Sequence, residues 1–247
     1  MSGALLLLMD YDGTLTPIME RPEDANLSAD MRRLLARLLK HYPTVIISGR
    51  EPKDIRKLVG LRKIYYAGNH GLEIDGPGLK LVKPEAKKMA STVSEICGDL
   101  KSELGNIDGV IVEDKGLTAS IHYRLVAAEK LGELKRIFTK ITKPHLRAGR
   151  IKIARGKKVL EIRPNIDWDK GKAALWIIDA IKPKDVALPI YLGDDKTDED
   201  AFRALRSKGI TILVSNAPRK SNAKYFLRDV DEVKAFLEKL IPIGFHN

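Results

Sequence analysis

The 247-residue chain predicts an α/β fold in which a parallel-sheet core is interrupted by a smaller α+β module. Three observations carry this. Near both ends of the chain, short apolar runs that stop in polar turns alternate with amphipathic stretches, the pattern of a parallel sheet with crossover helices. Between about Lys83 and Arg163 the rhythm becomes helix, two strands, helix, two strands. After Pro164 the first rhythm returns. The expected domains are therefore a core of residues 1–82 and 164–247 and an inserted module of residues 83–163.

The first strand is Leu5–Met9, followed by Asp10-Tyr11-Asp12-Gly13-Thr14. So short an apolar run ending in a turn reads as a buried strand, since a membrane span needs roughly 20 apolar residues. Ser28 caps a helix carrying Met31, Leu34, Leu35 and Leu38 at helical spacing, and His41-Tyr42-Pro43 ends it. Thr44–Ile47 is a second strand, which ends in Ser48-Gly49-Arg50. Pro52 suits the first turn of a helix that reaches Val59. Residues 64–67 form a third strand ahead of Gly68-Asn69-His70-Gly71. A hairpin then turns at Asp75-Gly76-Pro77-Gly78.

In the module, Pro84 opens one long helix with Met89, Val93, Ile96, Cys97 and Leu100 on a single face. Residues 110–112 and 118–123 read as antiparallel strands, and Leu131, Leu134, Ile137, Phe138 and Ile141 mark a second helix. A hairpin of residues 151–154 and 159–162 turns at Arg155-Gly156-Lys157. The core resumes with a helix at Lys170–Ile181. A strand at 189–192 follows and runs into Gly193-Asp194-Asp195-Lys196-Thr197-Asp198-Glu199-Asp200, with a helix over 201–205. A strand at Ile210–Val214 and a helix over 233–240 complete the pattern.

Composition narrows the function. Hydrophobic residues make up 44% and charged residues 31%, which suits a soluble globular protein. The single cysteine, Cys97, excludes an internal disulfide and a cysteine zinc site, and it sits on an apolar helix face as core packing. Leu5–Met9 is too short for the apolar region of a signal peptide and has no cationic start or cleavage site, so the expected location is cytoplasmic. The net charge of +11 admits nucleic acid or an anionic substrate as partner. The basic residues are spread along the whole chain, as on a solvated surface, so neither nucleic acid nor a membrane is expected as partner.

Asp10 and Asp12 stand where the first strand stops, at the carboxyl edge where open α/β sheets bind ligands. Two carboxylates so close repel unless a cation or a shared proton relieves them. They form either a magnesium site with a nucleophile and an acid/base or a pair of solvated turn aspartates. Other strand ends help to decide. Ser48 can hydrogen-bond a phosphate oxygen, Lys170 can neutralise phosphate charge, and a carboxylate from Asp194, Asp195 or Asp198 can complete a magnesium shell. Together these groups make sense as a phosphoryl-transfer site.

Asp10-Tyr11-Asp12-Gly13-Thr14, Ser48, Lys170 and Gly193-Asp194-Asp195 resemble, in order, the four motifs of the haloacid dehalogenase (HAD) superfamily of phosphatases. Ser48-Gly49-Arg50, Gly68-Asn69-His70-Gly71-Leu72-Glu73, Glu113-Asp114-Lys115-Gly116, His122-Tyr123-Arg124, Glu161-Ile162-Arg163-Pro164 and Lys170-Gly171 give a finer resemblance, to the trehalose-6-phosphate phosphatases. The resemblance implies a Rossmann-like, HAD-like core with the inserted module as an α+β cap. It implies Mg2+-dependent hydrolysis of trehalose 6-phosphate by a single-activity enzyme, functionally linked to trehalose-6-phosphate synthase. Asp10 would be the nucleophile that forms a phosphoaspartyl intermediate, and Asp12 the acid and then the base. Ser48 and Lys170 would hold the phosphoryl group. Metal would be held by the Asp10 side chain, the Asp12 carbonyl and Asp194. Asp195 and Asp198 would position metal-bound water or cap the next helix. Arg50 would face substrate or pair with a core carboxylate. Asn69 and His70 would touch substrate or only make the turn.

For the cap, period-two alternation puts Ser120, His122 and Arg124 on one strand face, and Val159, Glu161 and Arg163 on another. By periodicity alone these are solvated faces. The resemblance makes Glu113, Lys115 and Glu161 the sugar-hydroxyl contacts, with His122 and Arg124 in support. Two alternatives remain open: a related phosphatase acting on sucrose phosphate or mannosyl-phosphoglycerate, and a non-enzymatic nucleic-acid-binding protein.

Overall fold

The computed structural model describes residues 5–181 and 188–241. Its elements begin with β1 (Leu5–Met9), α1 (Ala29–Leu38), β2 (Thr44–Ile47), α2 (Pro52–Val59), β3 (Tyr65–Gly68), β4 (Glu73–Gly76) and β5 (Leu79–Val82). The Ser28 hydroxyl accepts a hydrogen bond from the Met31 amide at 3.1 Å, the N-cap that the sequence predicts for α1. Next come α3 (Pro84–Lys88), α4 (Ala90–Leu104), β6 (Ile111–Asp114), β7 (Ala119–His122), α5 (Leu131–Arg147), β8 (Ile151–Gly156) and β9 (Val159–Pro164). The chain continues through α6 (Lys170–Ile181), β10 (Leu188–Gly193), α7 (Asp198–Leu205), β11 (Ile210–Val214), β12 (Tyr225–Leu227) and α8 (Val230–Lys239). The single helix expected from Pro84 is in fact two, because Met89 at φ −95°, ψ −2° interrupts the ladder between α3 and α4.

The chain divides into two compact units, residues 1–81 with 168–247, and residues 82–167. The first is built on an eight-stranded sheet of order β12-β11-β10-β1-β2-β3-β4-β5. All pairings from β12 to β3 are parallel, and β3 meets β4 antiparallel. From β1 the chain moves outward through β2 and β3, and later outward on the other side through β10, β11 and β12. The strand order therefore reverses between β1 and β10, and a ligand crevice is expected outside the carboxyl ends of those two strands. The register Met9↔Leu192 continues past the strand, with the Asp10 amide donating to the Leu192 carbonyl at 2.9 Å.

The four leucines of β1 lack alternation because both faces of the strand are covered. Leu7 and Met9 pack with Leu34 and Leu35 of α1, Ile55 of α2 and Leu237 of α8. Leu6 and Leu8 pack on the other side with Ile177 of α6 and Phe202 and Leu205 of α7. Burying each such side chain contributes about 2 kcal/mol, so the strand that presents the site is firmly held on both faces.

The second unit has a four-stranded antiparallel sheet of order β6-β7-β9-β8. Ile121, Leu160 and Ile162 point to one face, where they pack with Val93, Ile96 and Leu100 of α4 and Leu134 and Phe138 of α5. Alternation leaves Glu113, Ser120 and Glu161 abreast on the other face, in the register Glu113↔Ser120↔Glu161. Among the described residues no helix is long and apolar enough to cross a membrane.

Candidate active site

Past β1 the chain folds into a tight loop. The Leu15 and Thr16 amides donate to the Tyr11 carbonyl at 2.9 and 3.2 Å, and the Gly13 amide donates to the Thr16 carbonyl at 2.7 Å. Gly13 has φ +89°, and a Cβ on it would stand 2.3 Å from an Asp194 carboxylate oxygen. Glycine is required there for two reasons: the left-handed backbone and the Asp194 carboxylate lying against it.

Asp10 follows β1 directly, and Asp194 follows β10 directly. Carboxylate oxygens of Asp10, Asp194 and Asp198 lie within 4.8 Å of one another, and all three residues are buried. The Lys170 ammonium, at the start of α6, is 2% exposed and donates to Asp10 Oδ1 at 2.6 Å and to Asp198 Oδ1 at 2.8 Å. Burial pushes the Asp10 carboxyl well above its ordinary range; the nearby Asp198, Asp194 and Asp195 add to this, and Lys170 opposes it. Burial would lower the Lys170 ammonium, but Asp10 and Asp198 outweigh that and hold it strongly cationic. The cluster thus carries more buried negative charge than one ammonium offsets. A divalent cation fits the Asp10 and Asp194 carboxylates of this cluster as oxygen ligands, with room for the Asp194 group that glycine at position 13 provides.

Asp198 is fully buried, and each of its oxygens accepts two hydrogen bonds. Oδ1 takes Lys170 Nζ and, at 2.8 Å, the Tyr191 hydroxyl; Oδ2 takes the Asp194 and Asp195 amides, both at 3.0 Å. Burial pushes this carboxyl up to about 7 against the pull of Lys170. Four donors nevertheless leave no lone pair for a proton, so the geometry requires the carboxylate. Asp198 therefore holds Lys170 and the loop that presents Asp194. Asp195 Oδ1 accepts from the Thr197 amide and hydroxyl at 2.7 and 2.6 Å and from the Asp198 amide at 3.2 Å, capping α7. Burial opposes its ionisation, yet Lys170, the Thr197 hydrogen bond and His70 bring it down to about 2.

Ser48 is buried after β2 and accepts from the Arg50 amide at 3.1 Å. Arg50 is committed to core carboxylates: it forks onto both Asp12 oxygens at 2.7 Å and meets Asp54 at 3.0 Å. Asn69 and His70, after β3, have φ of +50° and +58°. Their amides donate to the Arg50 and Ser48 carbonyls at 2.7 and 2.9 Å, which ties this strained turn to the turn after β2. Asn69 Nδ2 also donates to Glu73 at 2.7 Å.

In the second unit Glu113 Oε2 lies 3.2 Å from His122 Nε2 and 3.6 Å from Lys115 Nζ. Glu161 is paired with Arg163. Arg124 stands apart from these groups, beyond the end of β7, where it donates to the Lys157 carbonyl at 2.7 Å. Two contributors were missed in the sequence. Tyr191 lies within an apolar strand, and the clue was its hydroxyl, which once buried must find a partner. Arg219 donates to the Asp194 carbonyl at 3.0 Å from the loop after β11, and no local pattern signals it.

A family model described as trehalose-phosphatase matches residues 8–231. The chain is 40% identical over 264 residues to probable trehalose-phosphate phosphatase 2 of Oryza sativa subsp. japonica, covering 96% of this chain and 68% of that protein. Its structure is similar to the crystal structure of a trehalose-6-phosphate phosphatase related protein, with a TM-score of 0.82 and 26% identity over 95% of this chain and 96% of that one. A haloacid dehalogenase-like hydrolase from Bacteroides thetaiotaomicron matches with a TM-score of 0.65 at 17% identity, over 96% of this chain and 99% of that one, a likeness of fold alone.

Proposed function

The chain belongs to the trehalose-phosphatase family, and on that premise we propose that it hydrolyses trehalose 6-phosphate to trehalose and inorganic phosphate with Mg2+ among its carboxylates. The observation that supports this most is the buried Asp10 carboxylate, held by Lys170 at the point where the strand order reverses. A nucleophile there approaches a phosphoryl group from a fixed direction, with its charge balanced by a neighbouring ammonium.

In this reading Asp10 attacks phosphorus while the bond from phosphorus to the sugar oxygen breaks. The departing oxygen takes a proton from Asp12. Water then attacks the aspartyl phosphate and gives a proton to Asp12, the phosphorus–Asp10 bond breaks, and phosphate leaves. One hard displacement becomes two easier ones. Ser48 and Lys170 bind phosphoryl oxygens, and Asp198 with Tyr191 fixes the Lys170 ammonium. Asp10, Asp194 and the Asp12 carbonyl would hold the metal, which when bound offsets charge on the phosphoryl oxygens. Asp195 acts through the α7 cap. Glu113, Lys115 and Glu161 are the sugar-hydroxyl contacts of the cap domain, residues 82–167, and His122 supports them through Glu113. Carboxylates and an ammonium suit that work because they bond strongly to neutral hydroxyls.

The test is phosphate release from trehalose 6-phosphate, with Mg2+ or EDTA, beside glucose 6-phosphate and sucrose 6-phosphate. Metal-dependent release from the trehalose ester in preference to the others is expected. Preferential release from another ester would keep the core chemistry and overturn the substrate.

A further inference from the structure

We propose that Arg50 is the positioning residue of the acid/base carboxylate, fixing Asp12 toward the leaving oxygen rather than touching substrate itself; this rests on the phosphatase reading above. Arg50 lies in the turn after β2, and its side chain is only 9% exposed. Nε donates to Asp12 Oδ2 and Nη2 to Asp12 Oδ1, both at 2.7 Å. Nη2 also donates to the Pro22 carbonyl at 2.8 Å, and Nη1 to Asp54 at 3.0 Å. A guanidinium has five N–H groups, so at most one is left for a substrate.

The fork is itself held on several sides. The Arg50 amide is bonded to the Ser48 hydroxyl, and its carbonyl accepts from the Asn69 amide. The guanidinium carbon sits 5.7 Å from the centroid of the Tyr11 ring, whose hydroxyl is tied to the Ala25 carbonyl at 2.8 Å. Asp12, by contrast, has a side chain 37% exposed. The fork engages both of its carboxylate oxygens. The pairing as a stabilising contact would be a poor return for burying a guanidinium, because a half-exposed ion pair gives little. The fork instead freezes the orientation of the Asp12 oxygens and leaves each a second lone pair for proton transfer.

A group that acts through the acid must matter in proportion to how much the leaving oxygen needs a proton. The sugar alkoxide needs one; p-nitrophenolate does not. Arg50→Lys keeps the charge and removes the fork. Its kcat on trehalose 6-phosphate is expected to fall about 10²-fold, while the pre-steady-state burst of p-nitrophenolate changes less than about fivefold. In an Asp12→Asn background the same substitution is expected to cost nothing further. Asp54→Asn, at a half-exposed position on α2, removes one anchor, keeps the fold and is expected to give the same selective loss in weaker form. Equal losses on both esters, a rise in KM at unchanged kcat, or full additivity with Asp12→Asn would overturn the proposal. A wild type active on aryl esters but not on the trehalose ester would overturn only the substrate; phenyl phosphate then replaces the sugar ester in the comparison.

Discussion

Asp195 and Asp198 lie within one helical turn and face opposite demands. Asp195 gathers donors of its own loop, whereas Asp198 gathers Tyr191 from the preceding strand and Lys170 from another helix. The sequence left both residues with two readings, because a cap is local and can be read, while a buried hub depends on groups that only folding brings together. The Asp195 shift has a measurable consequence. Its carboxyl lies at about 2 in the folded chain against an ordinary 3.8. A depressed folded value means stability that is fully present above about pH 4 and lost as pH falls through about 2, worth about 2 kcal/mol. Urea unfolding in EDTA from pH 5 to pH 2 is therefore expected to show a fall in stability that Asp195→Asn flattens by roughly that amount. Parallel profiles for the two proteins would contradict the assignment.

Whole elements were legible where local chemistry and burial agree. The Ser28 cap, Pro52 at the start of α2 and the apolar runs of β1, β2 and β11 each state their element in their own residues. The break at Met89 was hidden because no proline or glycine marks it. The β12 strand was hidden because it is three residues long with exposed aromatics, and it exists only through pairing with β11. The loop after β1 offers the sharpest test at this scale. Alanine at position 13 must adopt a positive φ and also displace the Asp194 carboxylate. Gly13→Ala is expected to lower stability by more than about 1 kcal/mol and to abolish metal-dependent turnover. A melting temperature and activity close to wild type would mean that the carboxylates need not lie so close.

For the molecule as a whole, the order of motifs along the chain announced the parallel core and its inserted module, since each strand of such a sheet delivers its turn to the same edge. Substrate choice was less legible. Glu113, Ser120 and Glu161 alternate with core residues as any half-buried sheet would, so only a resemblance set Glu113 and Glu161 apart from a solvated face. Glu161→Ala is expected to cut kcat/KM on trehalose 6-phosphate by roughly 10- to 100-fold, the loss of a charge-assisted hydrogen bond, and to leave p-nitrophenyl phosphate hydrolysis near wild type. Equal loss on both would remove Glu161 from substrate recognition.

The central claim is that Asp10 carries the phosphoryl group. Protein mixed with trehalose 6-phosphate and Mg2+, quenched in acid during turnover and reduced with borohydride, converts an aspartyl phosphate to homoserine, which peptide mass spectrometry locates. Homoserine at position 10, absent when substrate is omitted and absent in Asp10→Asn, is the expected result. Phosphate release without modification of Asp10, or sustained turnover by Asp10→Asn, would contradict it.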